Sequence, residues 1–154
     1  MPSRRNQIRM DEADIWKFIE SQKSLQVATL NRDGSPHLTT LWFGILDGDI
    51  VFETFTKSQK IVNLKRDPRI AVLVEDGDVY NELRGVTING HAELYDDPAI
   101  VFRYALAVTR KNNPGLTPDQ QDAAARMMSQ KRTAVVVKPE RIVSWDHRKL
   151  GGRY

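Results

Sequence analysis

Cysteine is absent from this chain of 154 residues. That excludes disulfides, thiolate nucleophiles, zinc ribbons and cysteine-ligated iron–sulfur clusters. Histidine is scarce. His37, His91 and His147 lie far apart, with none of the close spacings that metal sites favour, so no metal site is expected. Neither a P-loop nor a Rossmann glycine fingerprint is present. Long apolar runs are missing too. Nothing is long enough to cross a bilayer, and no apolar signal segment follows Met1-Pro2-Ser3-Arg4-Arg5. A cytoplasmic protein without a membrane partner is expected. Aromatics are only 8% and form no basic–aromatic β-platform, which argues against nucleic acid as a partner.

The remainder is ordinary for a soluble globular protein, with 40% hydrophobic and 28% charged residues. One domain over residues 1–154 is expected, with residues 1–10 as a flexible arm. Folding at this length buries about 68–70% of the unfolded chain's surface, enough for a core without staples. The net charge is +3, from 23 basic and 20 acidic residues. So mild an excess suits an anionic small ligand as well as weak nucleic-acid contact.

Periodicity places the elements. Asp11 caps a helix whose apolar face is Ile15, Phe18 and Ile19, ending near Gln22. Alternating segments at 25–30, 37–46 and 50–55 read as strands, joined by turns at Asp33-Gly34 and Asp47-Gly48, in an antiparallel meander. Residues 57–66 read as a short helix stopped at Asp67-Pro68. Strands follow at 70–75 and 85–95. Helices start at Asp97-Pro98 and at Thr117-Pro118, and two strands, 133–138 and 141–145, flank Pro139-Glu140. The sum is about seven mostly antiparallel strands with helices packed outside, a mainly β (α+β) closed or half-closed barrel.

Two segments carry chemistry. Residues 57–69 hold five basic residues and one acid. Thr56, Lys57 and Ser58 sit where a strand gives way to a helix, and free N–H groups with hydroxyls and a lysine attract phosphate there. Lys57, Lys60 and Asn63 fall on related helical faces. The plain alternative is a solvated basic helix flank. The second segment, residues 144–154, gathers Trp145, His147, Arg148, Arg153 and Tyr154, which can stack on a planar ring or meet an anion. The plain alternative there is a core tryptophan followed by a basic tail. Trp42 and Phe43 are adjacent in a strand and face opposite sides, so one belongs to the core.

Four segments together resemble a known family: Val27-Ala28-Thr29-Leu30 with Asp33-Gly34-Ser35-Pro36-His37; Trp42-Phe43; Lys57-Ser58-Gln59-Lys60 with Asn63-Leu64-Lys65-Arg66-Asp67-Pro68-Arg69; and Ser144-Trp145-Asp146-His147-Arg148-Lys149-Leu150. The chain resembles the flavin-binding split-barrel proteins related to pyridoxamine 5′-phosphate oxidase. More narrowly, it resembles the actinobacterial branch linked to the deazaflavin coenzyme F420. The resemblance implies a six-stranded antiparallel Greek-key split β-barrel with flanking helices. It also implies a homodimer with cofactor sites at its interface. Lys57 and Lys60 then match the basic positions that hold cofactor phosphate, with Asn63 beside them. Thr39, Thr40 and Leu41 match the strand along the flavin ring, and Thr54 and Phe55 the next strand. Trp145 and His147 fall near the segment that reaches the substrate side. Pyridoxamine phosphate oxidases carry an Arg-x-His pair there, and here its first position is Trp145.

The resemblance implies an F420-dependent oxidoreductase passing hydride to a small organic substrate. FMN is the alternative cofactor, and a non-catalytic flavin- or haem-binding protein the alternative role. His147 and Tyr80 are the candidates to relay a proton.

Overall fold

The computed structural model describes residues 1–153. In chain order the elements are α1 (Arg4–Ile8), α2 (Glu12–Ser21), β1 (Ser24–Leu30), β2 (Pro36–Trp42), β3 (Gly44–Leu46), β4 (Asp49–Phe55), α3 (Gln59–Arg66), β5 (Arg69–Asp76), β6 (Arg84–Tyr95), α4 (Pro98–Asn112), α5 (Pro118–Met128) and β7 (Arg132–Asp146). Short 3₁₀ turns lie at Tyr80–Glu82 and His147–Leu150.

The strands form one antiparallel sheet of seven, in the order β2-β1-β5-β6-β7-β4-β3. The strand count exceeds the implied six by the three-residue β3. The expected meander is corrected. β1 and β2 form a hairpin, as do β3 and β4, but β5 returns to pair β1, and β7 inserts between β6 and β4. The single strand expected over residues 37–46 breaks at Phe43. There the carbonyl accepts the Asn112 side-chain amide at 2.8 Å. Gly44 presses so closely on α4 that a Cβ would lie 2.8 Å from the Ala107 backbone, a contact only glycine permits. Conversely, the two strands expected at the C-terminal end are one. Asn89 pairs Arg141 and Gly90 pairs Pro139, so Glu140 is extruded as a bulge that absorbs the proline.

The curled sheet wraps one core. Leu25 and Val27 of β1, Phe52 of β4, Val72 and Val74 of β5, and Ile88 of β6 are at most 2% exposed. Helix α2 closes one end with Phe18 and Ile19, and α3 closes the other with Ile61 and Leu64. On the outside, Val101 and Tyr104 of α4 cover Val51, Ala134 and Val136 of β4 and β7. Along β2 the alternate residues Pro36, Leu38, Thr40 and Trp42 point outward, and Leu38 is 68% exposed. The first ten residues, expected as an arm, include helix α1 with Ser3 as its N-cap. Met10 ends them in the core, its N–H donating to Ser144 Oγ at 3.0 Å.

Candidate functional site

The barrel is split between two open strand edges. β2 pairs only with β1, which leaves its other edge without a strand partner among the described residues. β4 pairs with β7 over Ile50 to Phe55, but β3 accompanies it only as far as Val51. The far edge of β4, from Phe52 to Phe55, is therefore open as well. Such edges present unpaired N–H and C=O groups. Thr39, Thr40 and Leu41 lie on the first edge, and Thr54 and Phe55 on the second.

Thr39 and Leu41 turn inward and Thr40 outward. Thr39 Oγ1 and His37 Nδ1 are buried without a hydrogen-bond partner among the described residues. Buried polar groups are nearly always paired, so an unpaired hydroxyl beside an open edge is a group awaiting a partner. Thr54 is buried, whereas Phe55 is 55% exposed, with the Arg132 guanidinium 4.3 Å from its ring centroid.

Beyond β4 the chain turns into α3. Ser58 is its N-cap, the Oγ accepting the Ile61 N–H at 3.4 Å. Helix α3 therefore begins at Gln59, later than the expected residue 57, and Lys57 sits in the turn ahead of it. The turn is braced from behind. The Thr56 N–H donates to the Lys131 carbonyl at 3.0 Å. Thr56 Oγ1 lies 2.9 Å from Thr133 Oγ1, and Thr133 donates to Asp96 at 2.5 Å. With its proton committed to a carboxylate, Thr133 can only accept from Thr56.

Lys57 is exposed, Lys60 is half-buried, and neither has an ion-pair partner among the described residues. Burial pulls the Lys60 ammonium below the usual lysine range. A half-buried, unpaired cation gains most from an incoming anion, which restores the charge–charge energy that desolvation removed. Lys65 instead leans toward Asp96 at 3.9 Å, and both side chains are at least half exposed.

Asn63 is fully buried and spoken for. Its Nδ2 donates to Thr29 Oγ1 and to Asn31 Oδ1, each at 3.0 Å, and its Oδ1 accepts from Gln59 at 2.8 Å. It positions α3 and offers no free hydrogen-bonding atom to a ligand. Arg66 adds a second tie by donating to the Leu30 carbonyl.

The C-terminal candidates lie elsewhere. β6 opens at Arg84 opposite Asp146 and reaches the α3 end at His91 opposite Arg69. Seven residues separate the two levels, about 23 Å at roughly 3.3 Å each. Trp145 lies flat over Gly85, where a Cβ would come within 2.3 Å of its ring. His147 meets Tyr80 edge-on at 4.9 Å, with Nδ1 3.0 Å from the Tyr80 carbonyl oxygen. Within one chain, Trp145, His147 and Tyr80 do not join the lysines of the seam. Tyr154 lies outside the described residues.

Thr133 and Asp96, which brace the turn, were missed in the sequence. They lie 77 and 40 residues from Thr56 and in no local motif, and only the pairing of Thr54 with Thr133 brings them near.

Among curated proteins, none matches the chain. The conserved hypothetical protein Rv2991 from Mycobacterium tuberculosis is 41% identical, with a TM-score of 0.90, over 99% of this chain and 95% of that one. An F420 reductase is 27% identical, with a TM-score of 0.62, over 82% of this chain and 93% of its own. HutZ, the haem storage protein from Vibrio cholerae, is 16% identical at a TM-score of 0.67, over 86% and 94%, a likeness of fold alone. The family model of pyridoxamine 5′-phosphate oxidase matches residues 12–146, which include all seven strands, and the chain belongs to that family.

Proposed function

We propose that this protein binds the deazaflavin coenzyme F420 in the seam and catalyses hydride transfer between it and a small organic substrate. The observation that carries the reading is the pair Lys57 and Lys60. Two cations without an ion-pair partner among the described residues, one of them half-buried, stand where β4, open along its outer edge, gives way to α3. The residues fit such a group. The lysines and the first N–H groups of α3 hold its anionic tail. The edges at Thr39, Thr40 and Leu41 and at Thr54 and Phe55 offer backbone groups to a planar heterocycle. Thr39 Oγ1 supplies a hydrogen bond that the protein leaves unused. When bound, the deazaflavin supplies the hydride chemistry. The protein binds it, orients it and keeps water from its inner face. The likeness to an F420 reductase favours F420 over FMN.

The same reading includes a homodimer. Leu38 and Trp42 are exposed on the outer face of β2, beside the seam. A second copy laid there covers the apolar strip and brings its own C-terminal segment to the cleft. That is the route by which Trp145, His147 or Tyr80 reaches substrate, since none does so within its own chain. Light scattering of a dimer then gives twice 17.6 kDa.

Titrating the purified protein with F420 and with FMN, each followed by fluorescence quenching, tests the cofactor. Saturable quenching of F420 that exceeds that of FMN supports the proposal. Saturation with FMN alone replaces F420 by the flavin, and saturation with neither overturns the reading.

A further inference from the structure

A pocket lies away from the seam, where α4 meets α2 and β3. It is an open pocket of about 530 Å³, within the range of small-molecule sites. Its floor is apolar, formed by Ile45, Leu46 and Leu106. Its rim is cationic, formed by Arg103, Arg110 and Lys111, with Glu20 as the acid among its lining residues. β3 pairs β4 at its opening residues, Leu46 against Asp49. Six residues, about 20 Å at ~3.4 Å each, separate that level from Phe55 and the seam lysines.

The cations are not equivalent. Arg103 donates to Asp47 at 3.1 Å. Arg110 has no ion pair among the described residues, and Lys111 has none either. Lys111 Nζ sits 4.0 Å from the Phe43 ring centroid and donates to the Gln22 carbonyl. Phe43 is itself fixed by the Asn112 amide on its carbonyl. An ammonium is thus held against an aromatic ring, half out of water, with Glu20 in the same lining but no carboxylate within ion-pair distance among the described residues. Burial lowers its pKa to about 8, Glu20 opposing that shift and Lys23 adding to it.

We propose that this pocket binds a small monocarboxylate with an apolar body, such as a medium-chain fatty acid. The carboxylate meets Lys111 and Arg110, and the chain lies on Ile45, Leu46 and Leu106. A neutral ligand leaves the ammonium without a counter-ion. A more highly charged one meets Glu20 and gains nothing from the floor. An anion at Lys111 favours its charged form, so binding near pH 8.5 takes up a proton, and affinity falls as pH rises past 8.

The test is calorimetric titration of the full chain with octanoate, octan-1-ol and octylamine. It is run at pH 7 and at pH 8.5, in two buffers of different ionisation heat. Octanoate is expected to bind at least tenfold more tightly than either analogue, with net proton uptake at pH 8.5. Lys111→Met and Arg110→Gln should each weaken octanoate about tenfold or more, as loss of a charge-assisted contact does. Lys111→Met should also abolish the proton uptake. Arg110 is exposed, so its variant keeps the test open if Lys111→Met does not fold. Equal binding of octanoate and octan-1-ol overturns the proposal. So does octanoate affinity that is unchanged in Arg110→Gln, or binding at pH 8.5 without proton uptake.

Discussion

Asn63 Nδ2 lies 3.0 Å from Thr29 Oγ1, and through that contact α3 is latched to the end of β1. Both residues are buried, and the same amide also serves Asn31. The helix that carries Lys60 is thus held from below by a buried amide–hydroxyl contact, with half-exposed Asn31 beside it.

Asn63→Ala should therefore destabilise the protein by about 1–3 kcal/mol, because buried Thr29 is left with an unmet hydrogen bond. Urea unfolding measures the loss. Cofactor affinity should fall with it, although Asn63 touches no ligand. A variant as stable as the parent would show that α3 is placed by Ile61 and Leu64 alone.

Lys57→Ala and Lys60→Ala should each weaken F420 binding about 10- to 150-fold, at ~1.5–3 kcal/mol per charge-assisted contact. Lys65→Ala should change it little, since Lys65 is exposed and leans on Asp96. Equal losses in all three, titrated at one salt concentration, would indicate a diffuse basic field with no defined site.

Thr133→Val removes the middle of the chain from Thr56 to Asp96. The turn ahead of α3 then loses its brace while Lys57 and Lys60 keep their charge. Expected is a loss of cofactor affinity smaller than that of Lys57→Ala, with Lys57→Ala costing less in the double variant than alone. Strict additivity in that cycle would separate the brace from the lysine.

Gly85→Ala forces Trp145 off its seat, because the new Cβ would stand 2.3 Å from the ring. Overpacking of this kind costs about 1–3 kcal/mol. Adding Trp145→Ala should recover part of the loss, and near-ultraviolet circular dichroism reports whether the ring has moved.

Acid should loosen the end of the barrel near Asp146. Arg148 donates to that carboxylate at 2.9 and 2.7 Å and holds its pKa below the usual carboxylate value, against the opposing effect of burial. The unfolded chain thus takes up this proton before the folded one does. The stabilisation is present above about pH 3.9, the ordinary aspartate value, and is lost as pH falls through the lower folded value. In Asp146→Asn the decline of melting temperature between pH 5 and 3 should be shallower than in the parent.

Much of the barrel could be read locally. Asp11, Asp97 and Thr117 cap the helices expected of them, and Thr117 forms a full capping box with Gln120. Phe43, of the Trp42–Phe43 pair, is the core residue. What could not be read is long-range. Gly44 is the one local mark that the strand breaks at Phe43, and the cause, Asn112 and the backbone of Ala107, lies more than 60 residues away in α4. Pro139 looked like a strand break because its bulge is accommodated by Gly90, 49 residues earlier, where a Cβ would lie 1.9 Å from the Lys138 oxygen. At the site, Lys57 in the turn and Lys60 in the first turn of α3 stand out as charge. Asn63 has the right place but a structural task, visible only once its partners on β1 are known.

The seam has a dynamic consequence. Among the described residues no backbone ladder crosses it, so the edges at Thr39 and Phe52 can separate without breaking a strand–strand hydrogen bond. The resistance comes from side chains, chiefly the Asn63 latch and the apolar contacts of Ile61 and Leu64. Amides along that edge of β2 should then exchange with solvent deuterium through small local openings, while those of β5 and β6, bonded on both sides, wait for global unfolding.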